Sequence, residues 1–340
     1  MKKLFLALAL VSLAGSVHAA GPYKVLRVAK VGGAGGFDYV YADAAGRKLY
    51  IPRSGSGARI TVFNLDTLQP AGEIPNASAH GVAVSTRSNY GFATSKPVVM
   101  WDATSLRVFK TITVEGNPDG IMHDPFNDRV YILSHRAPNA TVINAADGSV
   151  EGTIDLGGAP EQAVSDGKGR IYVDIEDKGN IAVVDAKTMK VITHYDLQGK
   201  GAACAGLAID VKNQILFSTC RNPQTMVILS ARDGKILDAL PIGQGTDGAV
   251  FNPKTMEAFS SQGDGTLTIV KEKSPSSFVV EQNLETMKTA KTLTLDRKTG
   301  HLLLIAAEFA APATPPPAGG RGRGRGQMVP DSFSILVVGK

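Results

Sequence analysis

Short apolar runs alternate with turn residues along the whole chain. Between residues 116 and 154, four runs rich in Val, Ile and Tyr are separated by segments rich in Gly, Pro, Asn and Asp. Apolar runs this short, bounded by such residues, are typical of strands rather than helices. The stretch is therefore predicted to form a four-stranded antiparallel meander.

The same pattern recurs at a spacing of 39 to 44 residues. The polar residue that ends the first run of each unit is Asp43, Ser85, Asp124, Asp166, Asp210, Asn252 and Asp296. A bulky residue follows six or seven positions later, at Tyr50, Phe92, Tyr131, Tyr172, Phe217, Phe259 and Leu303. Four strands per unit at a period near 40 residues predict the blades of a β-propeller. A single meander cannot bury both its faces, so neighbouring blades must stack.

Seven units are present, but the last one lacks a fourth run. Its third run, 334–338, ends two residues before the C-terminus. The segment 23–31 has the pattern of a fourth strand and precedes the first unit. We therefore predict an all-β fold, a single seven-bladed domain over 20–340, with the ring closed by an N-terminal strand that removes an open sheet edge.

The turn and strand motifs resemble those of a known family. Blades 116–154 and 158–194 carry G-x-P-(D/E)-G or a close variant, then Y-(I/V), then V-x-D-A-x-(T/D)-G or a close variant. The pattern is similar to the bacterial YVTN-type, YncE-like seven-bladed propellers and covers nearly the whole chain after the first twenty residues. The resemblance implies the fold strongly and the activity weakly, because propellers host many unrelated functions.

The first nineteen residues have the composition of a secretory signal peptide. Lys2 and Lys3 precede the apolar run 4–13, and Val17-His18-Ala19 fits a cleavage site after Ala19. This pattern predicts export, to the periplasm or outside the cell. No later segment approaches the eighteen apolar residues that a membrane span needs, so no membrane span is expected.

The net charge gives little reason to expect a nucleic acid partner. Of the 36 basic residues, two lie in the predicted leader and three are arginines of one loop, against 31 acidic residues. The remaining body is neutral, whereas nucleic-acid-binding domains carry a strong basic excess. The composition therefore argues against a nucleic acid partner.

The two cysteines fall in the same predicted hairpin. If 205–210 and 214–220 pair with Asp210 opposite Gln214, the same register places Cys204 opposite Cys220. A disulfide between them fits an oxidising compartment. Two reduced cysteines at the inner rim are the alternative.

Charged residues recur where each inner strand begins. Five positions before the polar residue of each unit stand Asp38, His80, Asp119, Glu161, Ala205, Asp247 and Lys291. A second set follows each second strand and includes Arg53, His135 and Arg221. In a propeller both sets open on the same face, so we predict that they surround one mouth of the central channel and bind a ligand there.

Each of these residues also has a purely structural interpretation. Asp119 and Asp247 precede glycines, and an aspartate before Gly is ordinary turn chemistry. His80 and Glu161 are less well explained as turn residues, and His135 would otherwise simply be solvated.

A low-complexity insertion interrupts the seventh blade over about 308–331. Its Pro and Gly content cannot bury a core, so the segment is predicted to be mobile. Arg321, Arg323 and Arg325 within it offer a contact for an anion or a partner protein. A tolerated insertion at a loop tip is the alternative.

No motif identifies a reaction: CxxC, P-loop, HExxH and G-x-S-x-G patterns are absent. The favoured hypothesis is a monomeric binding or scaffolding module whose mouth takes a small ligand or a protein partner. No cofactor is identified, although a divalent metal is possible. The first alternative is a metal-assisted lyase or lactonase at the same mouth, with carboxylates as metal ligands and a histidine as base. The second is DNA or polyanion binding through the Arg-Gly loop.

Overall fold

The computed structural model describes residues 21–55, 57–311 and 326–340, and all regular structure in them is β-strand. The predicted signal peptide and residues 312–325 of the insertion lie outside this range. Strands β1 to β13 are Lys24–Lys30, Tyr41–Asp43, Lys48–Arg53, Arg59–Asn64, Pro70–Pro75, Val82–Ser85, Tyr90–Ala93, Val98–Asp102, Val108–Ile112, Pro118–Asp124, Arg129–Ser134, Ala140–Asn144 and Val150–Ile154. Strands β14 to β28 are Pro160–Ser165, Arg170–Ile175, Asn180–Asp185, Lys190–Asp196, Ala202–Asp210, Ile215–Asn222, Gln224–Ser230, Ile236–Pro241, Thr246–Asn252, Glu257–Gln262, Thr266–Ser274, Ser277–Glu285, Leu293–Leu295, Leu302–Ala306 and Ser334–Gly339.

The strands form seven four-stranded antiparallel sheets, so the predicted propeller is confirmed. Blades one to six each use four consecutive strands, from β2–β5 to β22–β25. Blade seven has the order β1-β28-β27-β26, with Lys24 opposite Gly339 and Lys30 opposite Ser334. The N-terminal strand therefore closes the ring as predicted, by hydrogen bonding to the C-terminal strand.

The core consists of seven apolar layers, one between each pair of adjacent blades. The bulky residue of each second strand is at most 2% exposed, from Tyr50 to Leu303. This burial explains the repeat, because each blade supplies one face to the layer before it and one to the layer after it.

The recurring polar residue after each inner strand is also buried and holds a turn. Asp43 Oδ1 accepts hydrogen bonds from the backbone N–H groups of Ala45 and Gly46. Asp210 and Asp296 accept equivalent bonds two residues further on. A short polar side chain is required here because it satisfies turn N–H groups that no strand partner reaches.

The hairpin of blade five differs from the predicted register by one residue. Asp210 lies opposite Ile215, not Gln214, and Gln214 occupies the turn with φ of 59°. A bulge between Cys204 and Gly206 shifts the register back, so Cys204 still lies opposite Cys220. The structure joins these two cysteines in a disulfide.

The ends of the blade-seven insertion are hydrogen-bonded to each other. Ala310 N–H donates to Gln327 O and Val329 N–H donates to Glu308 O, both at 2.9 Å. The expected mobile segment of about 308–331 therefore begins and ends in a paired stem. Its three arginines lie outside the described residues.

Candidate functional site

Charged side chains from all seven blades meet at one mouth of the central channel. We call this set the mouth ring; its members are Asp38, His80, Asp119, His135, Glu161, Glu176, Arg221, Asp247 and Lys291. Eight of these nine residues are among those singled out from the sequence pattern as candidate ligand contacts. Six of the nine lie five positions before the polar turn residue of their blade, and this common offset brings them to the same level of the channel.

Small residues beside the mouth ring let the inner strands approach the channel axis. A Cβ at Gly120 would lie 2.8 Å from the Glu161 carbonyl oxygen of the next blade. A Cβ at Gly206 would lie 2.7 Å from the backbone of Gly248. Such separations are shorter than real side-chain contacts, so glycine is what allows the charged side chains next to it to converge.

One half of the mouth ring is an alternating run of carboxylates and histidines. His80 Nδ1 is 3.0 Å from Asp38 Oδ2 and 3.4 Å from Asp119 Oδ1. His135 Nε2 is 3.4 Å from Asp119 Oδ2 and 3.5 Å from Glu161 Oε1. Asp119 therefore lies between two imidazoles, one on each carboxylate oxygen.

The other half is built on two permanent cations. Arg221 contacts Glu176 at 2.8 Å and pairs closely with Asp247. Lys291 pairs closely with Asp247 as well and contacts Asp38 at 3.1 Å. The two halves thus join at Asp38, and both free ends lie on blade four, at Glu161 and Glu176.

The protonation equilibria of the first half are strongly perturbed. The hydrogen bond to Asp38 raises the pKa of His80, and the interaction with Glu161 raises the pKa of His135 to about 9. Burial raises the pKa of Asp119 and Glu161, with neighbouring carboxylates adding to the effect. Two carboxylates that resist ionisation in this way lack sufficient positive charge around them.

Asp119 and Asp247 are not explained by turn chemistry. Within residues 21–55, 57–311 and 326–340, neither carboxylate accepts a hydrogen bond from a backbone N–H group. Asp247 instead contacts Arg221 and Lys291 of the neighbouring blades, and Asp119 contacts His80 of blade two and His135 of its own blade. The structural alternative raised by the Asp-Gly sequences is therefore not supported at these two positions.

Tyr39 and Glu176 contribute to the mouth although neither was among the candidate ligand contacts. Tyr39, on blade one, donates its hydroxyl to Glu161 Oε2 of blade four at 3.2 Å. It follows Asp38 directly and replaces the glycine found at this place in several blades, which is the only signal in the sequence. Glu176 follows the second strand of blade four and so belongs to the second set predicted from the sequence, as does Arg221 near the end of β19.

Arg53 does not join the mouth ring, contrary to expectation. Its guanidinium lies 3.7 Å from the centre of the Phe333 ring, and the residue is only 1% exposed. It donates to the carbonyl oxygens of Gly33 and Gly35. The N-terminal loop, which no other blade has, covers this side chain and holds it away from the channel.

The disulfide lies directly behind the mouth ring. Cys204 and Cys220 are at most 1% exposed, and Arg221 follows Cys220 in the chain. The bond therefore ties the inner strand of blade five to the strand that presents Arg221. Of the predicted site residues, the structure brings all but Arg53 to this region.

Comparison with known proteins shows the fold alone. No family model and no curated protein matches the chain. Among solved structures, U3-55K and the RRP9 WD40 repeats each match at 13% identity and a TM-score of 0.70. The alignments cover 93% and 94% of this chain and 98% and 99% of theirs. A chain of a mitotic checkpoint complex matches at 11% identity and a TM-score of 0.69, over 89% of this chain and 95% of that one.

These similarities support the seven-bladed β-propeller fold. In the part of the chain that the structure describes, no helix has the length and apolarity needed to cross a membrane.

Proposed function

We propose that this protein is an exported, YncE-like propeller that binds a positively charged ligand or partner segment at the mouth ring. The observation that carries the proposal is the charge balance of that ring. Five carboxylates converge there, whereas only Arg221 and Lys291 are permanent cations. With all five carboxylates ionised, the ring is negative even when both histidines are protonated.

The distribution of charge within the ring supports a cationic ligand in particular. Arg221 and Lys291 are both held by Asp247, and they leave Asp119 and Glu161 to the two imidazoles. An ammonium or guanidinium group placed near Asp119 would relieve the carboxylate repulsion that burial makes costly. Complementary charge of this kind sets the specificity and speed of association.

Export is supported by the sequence of the first nineteen residues and by the disulfide. Disulfides persist in oxidising compartments and are rare in reducing ones. The proposal predicts a mature protein beginning at Ala20 in the periplasmic or extracellular fraction. Mass spectrometry of the fractionated protein tests this, and an intact Met1 in the cytosol would contradict it.

Binding of DNA or another polyanion is less well supported at this mouth, because a negative ring repels phosphates. The candidate contact for that alternative is the Arg-Gly loop, whose arginines lie outside the described residues. Salt-dependent DNA binding that disappears on deletion of residues 318–327 would favour that alternative.

The direct test uses labelled hexalysine, with hexaglutamate as the opposite-charge probe, in fluorescence anisotropy with EDTA present. Hexalysine should bind saturably, and Asp119→Asn with Glu161→Gln should weaken it by about tenfold or more. Glu73→Gln is the matched control, since Glu73 lies on the outer strand β5 with a side chain that is 57% exposed. Equal binding of both peptides, or equal binding by all variants, would refute a cation site at the mouth.

A further inference from the structure

Three members of the mouth ring are arranged like the protein ligands of a metal ion. Asp119, His135 and Glu161 each offer one donor atom, and the three atoms lie within 4.8 Å of one another. They come from adjacent blades: Asp119 starts the inner strand of blade three, His135 follows its second strand, and Glu161 starts the inner strand of blade four. Rigid strands therefore hold two of the three donors.

The separations within this triad fit coordination better than hydrogen bonding. His135 Nε2 is 3.4 Å from Asp119 Oδ2 and 3.5 Å from Glu161 Oε1. Good N–H···O hydrogen bonds are shorter, at about 2.7–3.2 Å. Two donor atoms that bind one ion tetrahedrally at about 2.0–2.1 Å lie about 3.4 Å apart, which is the spacing seen here.

A second observation concerns the charges beside the two carboxylates of the triad. Asp119 Oδ1 is inaccessible to solvent and accepts no hydrogen bond among the described residues, although His80 Nδ1 lies 3.4 Å away. Glu161 is 8% exposed and contacts His135 and the uncharged hydroxyl of Tyr39. Neither carboxylate has a lysine or arginine partner among the described residues, whereas buried carboxylates normally have a permanent cation or several donors beside them.

The neighbours of the triad have the positions that outer partners of metal ligands take. His80 lies against the second oxygen of Asp119 and is itself held by Asp38 at 3.0 Å. Tyr39 donates to the second oxygen of Glu161. Such contacts fix the orientation of metal-binding carboxylates. His135 is 36% exposed, so the triad opens to solvent at the mouth.

We propose that Asp119, His135 and Glu161 bind a divalent transition-metal ion, and that this ion is the cation that completes the negative mouth ring. The inference deepens the proposed function and rests on the same mouth ring. An imidazole beside two carboxylates favours zinc and similar ions over Ca²⁺ and Mg²⁺, which prefer all-oxygen sites. Three protein ligands leave a fourth position free towards the channel mouth.

The test is titration of the purified, EDTA-dialysed protein with Zn²⁺ by isothermal calorimetry, with Co²⁺ as a spectroscopic probe. The wild type should bind one ion and show the visible absorption of tetrahedral Co²⁺. Asp119→Asn, Glu161→Gln and His135→Ala should each weaken binding at least about tenfold and abolish the spectrum. Asp155→Asn is the matched control, because Asp155 is an exposed carboxylate near the same face that lies outside the ring.

The unfolding temperature of each variant in EDTA shows whether it is folded, and the solvent-exposed His135→Ala variant keeps the test decisive if the buried substitutions misfold. Absence of Zn²⁺ binding to the wild type, or equal affinity in the wild type and His135→Ala, would overturn the metal site. Hexalysine binding in EDTA without Zn²⁺ binding would refute the metal site and leave the proposed function standing. If the protein binds Zn²⁺ but does not bind hexalysine, either in EDTA or in Zn²⁺, the metal site stands and the proposed function is refuted.

Discussion

Replacing both cysteines by alanine should destabilise the propeller by about 3 kcal/mol, the loop-closure entropy expected for a bond spanning a loop of this size. Cys204 and Cys220 are 16 positions apart in the sequence. Both are at most 1% exposed, so the substitutions also remove buried sulfur and the loss should not fall below this value. With about 2 cal/mol/K of unfolding entropy per residue, a loss of about 3 kcal/mol lowers the Tm by about 5 °C.

Urea unfolding of the wild type and of Cys204→Ala/Cys220→Ala, each with and without dithiothreitol, measures this difference. The reductant should lower the midpoint of the wild type and leave that of the double variant unchanged. Since the bond is buried, reduction in the absence of urea should be slow and should follow opening of blade five. A midpoint equal in all four samples would refute the assignment of a stabilising disulfide.

Three further predictions concern stability away from the mouth. Burial beside Asp210 raises the pKa of Glu272 from its usual 4.5 to about 7. Between these pH values the folded state holds a proton on Glu272 that the unfolded state has lost. The free energy of unfolding therefore falls as the pH rises from about 4.5 to about 7. In urea titrations, the stability of Glu272→Gln relative to wild type should therefore increase from about pH 5 to about pH 8, by at most about 3 kcal/mol. A stability difference between the two proteins that stays constant over this range would contradict the prediction. Lys340→Ala should lower the free energy of unfolding in urea by about 1–2 kcal/mol, because Lys340 Nζ contacts the fully buried Glu257 at 2.8 Å beside Tyr23. The control Lys24→Ala, on the exposed side of β1, should leave stability unchanged. Gly91→Ala should destabilise the protein by about 1–3 kcal/mol and lower its Tm, since the added Cβ would overlap the fully buried indole of Trp101. Gly152→Ala should lower the Tm less, because its Cβ would meet only Met189, at 3.4 Å.

The fold was accessible from the sequence because its physical causes recur at a fixed period. Each blade repeats a buried bulky residue such as Tyr50 and a turn-holding residue such as Asp43. The missing fourth strand of the last unit required a partner, and β1 was the only segment left over. These are local constraints, so reading the chain residue by residue was enough to count and order the blades.

The sequence period also predicts which residues reach the mouth ring, but it does not predict which of them contact each other. The sequence places Asp119 and Glu161 at equivalent levels of the channel. It does not show that His135 lies between them at 3.4–3.5 Å or that Tyr39 reaches Glu161 from blade one. Those contacts depend on the directions of side chains across different blades.

The two sequence-based errors have different causes. Arg53 has the position of a mouth residue, but the N-terminal loop and Phe333 enclose it, and neither has a counterpart in the other blades. The predicted blade-five hairpin used a three-residue turn after Asp210, whereas the turn has four residues and places Asp210 opposite Ile215. The bulge between Cys204 and Gly206 compensates for this shift, and bulges at the same place in blades three, four and six show that it belongs to the repeat.

The cost of the mouth ring is itself an argument for binding. Bringing five carboxylates together at a half-buried mouth gains little stability, because the desolvation of buried ion pairs offsets most of their attraction. The same inner-strand position in blade five is occupied by the fully buried Ala205, so the fold does not require charge there. In the blade-three and blade-four sector, Asp119 and Glu161 remain short of positive charge even with His135 between them. A cation that arrives from solution would supply the missing charge and would stabilise the folded protein in proportion to its occupancy. The ring is therefore better explained as a site completed by its ligand than as part of the scaffold.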